Sequence, residues 1–205
     1  TYNKLNKKRI EFNPNIDVDF QTSETPRYLE AARYWLQWAG APDSVYTRSK
    51  LTNDYNDDYQ SRAEWVNWLA GGSKVLPKRA GLNIPVDLAF AFHTDAGMTP
   101  NDSIVGTLGI YMSQRYGKYA DGTPRGYSRL LTNAISTNIC NDIRAHFEPE
   151  WMRRGMWDKS YYEARVPEVP TMLLELLSHQ NFADMRYGLD PTFRFVVSRA
   201  IYKGM

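Results

Sequence analysis

Two runs of the chain are almost wholly apolar, and each is broken by a polar residue. The first, L-A-F-A-F from Leu88, ends at His93 and predicts a strand buried on both faces. The second, P-T-M-L-L-E-L-L-S-H-Q-N from Pro170, predicts another buried strand with Glu175 in its middle. Between them V-G-T-L-G-I-Y-M predicts a strand from about Val105 to Met112, and S-V-Y-T (Ser44 to Thr47) a short one. Helical spacing appears four times. Thr25-Pro26 opens a helix with Tyr28, Ala32, Trp35, Leu36 and Ala39 on one face, stopped by Gly40 and Pro42. A second helix runs from about Tyr59 to Ala70, after a loop N-D-Y-N-D-D, with Ala63 and Val66 inward. A third, capped by Ser128, reaches about His146 with Ile135, Ile139 and Ile143 inward. The last starts at Asp190-Pro191 and buries Phe193, Val196, Val197 and Ala200. Residues 114–126 and 150–170 read as irregular. Strands alternating with helices predict an α/β fold, a three-layer αβα sandwich around a mostly parallel or mixed sheet.

Residues 1–22 read as a linker or irregular arm, in which I-D-V-D-F (Ile16 to Phe20) alternates like a short edge strand. Residues 23–205 read as the domain itself. The chain begins at Thr1 without methionine or signal peptide, and the expectation is a processed piece of something longer.

Composition removes several classes of function. A net charge of +2 gives no electrostatic case for nucleic acid or an anionic membrane. No apolar run approaches the ~18 residues of a membrane span. Cys140 is the only cysteine, which rules out an internal disulfide or a cysteine metal site and reads as a buried helix residue. The 14 Tyr, 8 Phe and 6 Trp exceed what a core needs, so some are expected to line a glycan or peptide groove.

The polar interruptions are where chemistry is expected. A carboxylate inside M-L-L-E-L-L is costly unless it is paired or used. Glu175 therefore predicts either a salt bridge to a nearby arginine or a general acid or base with a raised pKa. His93 ends its strand, where ligands collect in α/β sheets, and reads as a ligand or as a donor to a backbone carbonyl. Asp95, two residues on, points to the same face and reads as a supporting partner or a turn former. His179 follows Glu175 by one helical repeat in a loop and could reach the site, whereas His146 reads as surface. Glu24 precedes the first helix, where the dipole favours a carboxylate.

Taken in order, these pieces resemble the zinc-dependent N-acetylmuramoyl-L-alanine amidases of the amidase-3 type. The matching features are Glu24 before the first helix, Thr47-Arg48, Arg62 to Asn67 on the next helix and F-H-T-D-A around His93. They continue with Arg165 and Pro170-Thr-Met-Leu-Leu-Glu175, followed by Asn181. The stretch L-L-E-L-L-S-H-Q-N-F-A-D-M is also similar to amidase-like domains of Bacteroidetes surface proteins labelled xanthan lyase-like and joined to a golvesin-type β domain.

The resemblance implies an amidase-3-like fold and a zinc held by His93 and Glu24, with Glu175 as the catalytic base. Asp95 or His179 would serve as supporting or substitute ligands, and Arg62 and Arg165 as loop braces. The implied substrate is peptidoglycan or a muropeptide, cut between muramic acid and L-alanine, in the periplasm or at the cell surface. A neighbouring β domain of the same parent protein is the implied partner. One feature departs from the family: its first zinc ligand is a histidine upstream of the glutamate, and residues 1–23 contain none. Two ligands of the usual three predict weak zinc binding or none. Two other readings stay open: a non-catalytic module that binds cell-wall glycopeptide, and a polysaccharide lyase.

Overall fold

The structure, a computed structural model, describes residues 2–3, 8–9, 24–99, 101–114 and 117–205. Its centre is a four-stranded sheet of β3 (Ala89–Asp95), β4 (Thr107–Tyr111), β5 (Arg153–Asp158) and β6 (Thr171–Ser178), in the order β3-β6-β4-β5. β6 runs parallel to β3 and antiparallel to β4, and β4 runs parallel to β5, so the sheet is mixed. A separate pair, β1 (Tyr2–Asn3) and β2 (Lys8–Arg9), is antiparallel. The predicted edge strand Ile16 to Phe20 lies outside the described residues.

Helices cover both faces, as the αβα expectation requires. On one side α4 (Gly126–His146) and α7 (Pro191–Gly204) pack Ile135, Ile139, Ile143, Phe193 and Val197 against Met172 and Leu174 of β6. Each fully buried side chain of this kind contributes about 1.5–3 kcal/mol. Trp151 sits in the same core and donates its indole N–H to Thr107 Oγ1 at 2.9 Å, which satisfies its one polar atom. On the other side lie α1 (Ala32–Trp38), α2 (Asp43–Tyr46), α3 (Asp54–Ala70) and the four-residue α5 (Tyr162–Arg165). Helix α6 (Phe182–Gly188) links β6 to α7; the Asn181 side chain caps it at Asp184 N, 2.9 Å.

Several elements differ from their sequence patterns, each for a local reason. S-V-Y-T belongs to helix α2, not to a strand: Asp43 favours the N-terminal turn, and Thr47 Oγ1 donates back to Asp43 O at 2.6 Å. Thr25-Pro26 opens only a 3₁₀ turn, Arg27–Leu29, and α1 begins at Ala32. Its buried residues are Arg33, Tyr34 and Leu36, while Trp35 stays exposed. Helix α3 starts at Asp54, inside the expected loop, because Asn53 caps Asn56 N at 3.0 Å and Asp54 and Asp57 fill the first turn. The expected irregular stretch 150–170 contains β5 and α5.

The expectation of a central, doubly buried strand holds for β6 but not for β3. β3 forms an edge of the described sheet, and Phe92 on it is 52% exposed. Beside that edge lies a 460 Å³ cavity walled by Trp35, Leu36 and Trp65.

Gly109 in β4 has a packing role. A Cβ there would stand 2.5 Å from Thr132 Cγ2 and 2.8 Å from Ser136 Oγ, both on α4. Gly109→Ala is expected to destabilise the fold by about 1–3 kcal/mol through this overpacking. A urea melt showing less than half a kcal/mol would mean that α4 yields freely.

Candidate active site

The parallel register of β3 and β6 sets His93 directly beside Glu175. Residues paired across adjacent strands point to one face, so the two polar interruptions meet in space. They share a cavity of 510 Å³ with Tyr59 and Arg62 of α3 and with Tyr161, Tyr162 and Glu163 at α5. The apolar cavity beside β3 also borders on Arg62, His93 and Glu163.

Glu175 has no arginine or lysine in salt-bridge range among the described residues, and its buried Oε2 accepts no hydrogen bond. The Arg154 guanidinium, whose charge Glu175 feels, is committed to Asp95 at 2.7 Å. Burial raises the Glu175 pKa above the ordinary carboxylate value; Asp95 and Glu163 add to this, and His93 and Arg154 oppose it. Of the two sequence-based expectations for Glu175, the arginine salt bridge is therefore absent from the described residues.

His93 Nε2 lies 3.0 Å from Glu163 Oε2. This bond raises the histidine pKa, against burial, which would lower it. Glu163 in turn stands 3.7 Å from Arg62, and Arg62 bonds Asp58 one helical turn earlier at 2.9 Å. Arg62 thus braces the site by ion pairing. Arg165 also braces a loop, but through hydrogen bonds to Ser160 O at 3.1 Å and Ser160 Oγ at 3.3 Å.

The remaining candidates fall elsewhere. Asp95 is a turn former and ion-pair partner, accepting from Ala96 N at 2.7 Å as well as from Arg154. Burial alone would raise its pKa, but these bonds hold the carboxyl below its ordinary value. His179 bonds Thr94 Oγ1 at 3.1 Å and does not line the cavity. Glu24 is exposed, has a positive φ of 57°, and lies outside the cavity of His93. The carboxylate bonded to His93 is Glu163. Sequence reasoning missed it because α5 is too short to carry a periodic signal and its position is set by tertiary contacts.

The donors present do not fit the implied zinc. Among the described residues no three His, Cys, Asp or Glu side chains are arranged to hold a metal. A zinc site needs three protein donors with open lone pairs converging on one point. The far end of β6 is held rigid by Asp184. Its carboxylate accepts from Val105 N at 2.9 Å, Gly106 N at 3.1 Å and Ser178 N at 2.8 Å.

No protein-family model matches the sequence, and no curated protein is significantly similar to it. Solved structures do share its shape. The CwlD amidase from Clostridioides difficile, solved in complex with the GerS lipoprotein, superposes with a TM-score of 0.51 at 15% identity, covering 84% of this chain and 78% of its own. The N-acetylmuramyl-L-alanine amidase Ami1 from Mycobacterium smegmatis gives 0.50 at 18% identity, over 78% and 70%. An N-acetylmuramoyl-L-alanine amidase from Clostridium difficile 630 gives 0.50 at 12% identity, over 79% and 76%. The chain has the fold of these amidases.

Proposed function

We propose that this chain is a hydrolase of the cell wall that cuts the amide between the lactyl group of N-acetylmuramic acid and L-alanine. The observation that carries the reading is Glu175: a partly buried carboxylate with an unpartnered oxygen, set beside a histidine in an accessible cavity. A structural carboxylate in that position would be expected to have a cationic partner. One kept without such a partner, with a raised pKa, suits proton transfer. The likeness of fold to muramoyl-alanine amidases supports the choice of bond.

In this reading Glu175 takes a proton from the attacking water and returns it to the leaving amine. Arg62 holds Glu163 in place beside His93, and Tyr59 and Tyr162 wall the cavity against bulk solvent. The apolar cavity along β3 would take the less polar part of the substrate. Such a substrate places the protein in the periplasm or at the cell surface.

A second reading is favoured by the donor set, since no three His, Cys, Asp or Glu side chains among the described residues are arranged to hold a metal. It makes the chain a module that binds glycopeptide without cutting it. Purified disaccharide-peptides incubated with the chain decide between the two. The hydrolase reading expects a peptide with a new free L-alanine amine and a matching sugar acid, with less than one tightly bound zinc per chain by metal analysis. Binding without that product would leave the second reading standing. An unsaturated uronic acid released from xanthan would overturn both.

A further inference from the structure

We infer that Glu163 is a positioning residue of this centre: from α5 it accepts the Nε2 hydrogen of His93, leaving Nδ1 as the ring nitrogen open to a ligand, and fixes the imidazole beside Glu175.

The first support is chemical. An ionised carboxylate only accepts hydrogen bonds, so the hydrogen in the 3.0 Å contact belongs to the histidine. A neutral imidazole carries one N–H, and placing it at Nε2 leaves the lone pair at Nδ1.

The second support is mechanical, because the segment that carries Glu163 is tied to α3. Arg62 stands 3.7 Å from the same oxygen and is itself fixed by Asp58. Tyr162 donates its hydroxyl to Glu64 at 2.9 Å on α3. Just past α5, Asn67 bonds both Val166 O at 2.8 Å and Glu168 N at 2.9 Å. A four-residue helix has little stability of its own, and these links to α3 place it. The contact accordingly joins three elements: α3 positions α5, and α5 positions the side chain on β3.

This role deepens the hydrolase reading, but its test does not depend on it. The full chain, with its three histidines labelled with ¹⁵N, is examined by NMR at about pH 9, above the ordinary histidine range. His93 is assigned by the signals lost in His93→Gln. The expected wild-type spectrum shows the Nε2–H tautomer in about tenfold excess or more, the scale set by a charge-assisted hydrogen bond. Glu163→Ala should relax this to a mixture, and Glu163→Gln, whose amide oxygen still accepts, should keep it. In the hydrolysis assay Glu163→Ala should lower kcat by up to about 100-fold, the cost of a misplaced group, with KM little changed. An Nδ1–H tautomer in the wild type, or an unchanged spectrum in Glu163→Ala, overturns the inference. If Glu163→Ala does not fold, loss of the tautomer preference in Glu163→Gln overturns it instead. A wild-type chain without hydrolysis would refute the hydrolase reading, while the spectrum would still decide the role of Glu163.

Discussion

Glu175→Gln is expected to lower hydrolysis of muropeptide amides by ~100-fold or more, the usual cost of losing a general base, while leaving the fold at least as stable. Glutamine keeps the shape and the accepting oxygen but cannot take a proton. No cation is stranded by the change, because no arginine or lysine pairs with Glu175 among the described residues. The pH dependence of stability separates this from a structural role. Burial raises the folded-state pKa of Glu175 above its unfolded value. The folded state therefore holds this proton more tightly, and the associated stability is present at low pH and lost as pH rises through the raised pKa. The wild type should lose stability relative to Glu175→Gln in the window that opens near the ordinary glutamate pKa of ~4.3 and closes once Glu175 is ionised. Melts across that window, run beside turnover assays, make the comparison. A variant that melts much earlier at neutral pH yet turns over substrate normally would refute the catalytic role.

Arg33→Ala should have the largest effect on stability, a loss of about 3–5 kcal/mol. Arg33 is 2% exposed and ties α1 to α3, with Nη1 2.5 Å from Asp54 and 3.4 Å from Asp57. Asp57 is fully buried and also accepts from Ser49 N at 2.5 Å, while Asp54 accepts from Tyr34 OH at 2.9 Å. Truncating the arginine leaves a buried carboxylate without its cation, which costs more than the pair contributes when intact. For a chain of this size the melting temperature should fall by roughly 6–20 °C. Activity per folded molecule should be retained, because neither Arg33 nor its partners line the cavity of His93. A loss below 1 kcal/mol would show that water reaches Asp57 when the side chain is gone.

The α/β class, the two long strands with their polar interruptions, and the helices α4 and α7 were legible in the residues themselves. Each rests on a signal confined to its own segment: apolar runs with a single polar interruption in β3 and β6, a 3.6-residue stripe in α4, and Asp190-Pro191 at the start of α7. Local physics also explains several misreadings. Asn53 with Asp54 and Asp57 is a helix cap and acidic first turn, though the same residues suit a loop. S-V-Y-T has strand propensity, which one helical turn anchored by Asp43 overrides.

The assembly of the site was decided elsewhere. That His93 and Glu175 stand side by side follows from a parallel register between strands 82 residues apart, which no local pattern encodes. Helix α3 is the extreme case, since its buried face includes Asp57, Ser61, Glu64 and Asn67. Asp57, Glu64 and Asn67 find their partners Arg33, Arg79, Tyr162 and Val166 in distant segments, and Ser61 bonds Asp58 O on its own helix. The carboxylate expected to join His93 at a metal was Glu24, and the one bonded to it is Glu163, carried by a four-residue helix tied to α3. The sequence by itself determined that the segments of β3, β4 and β6 are strands and that polar residues interrupt two of them. Only the tertiary structure decided which charges meet there, because a charge is tolerated in the interior only when its partner is in place, and that partner can come from anywhere along the chain.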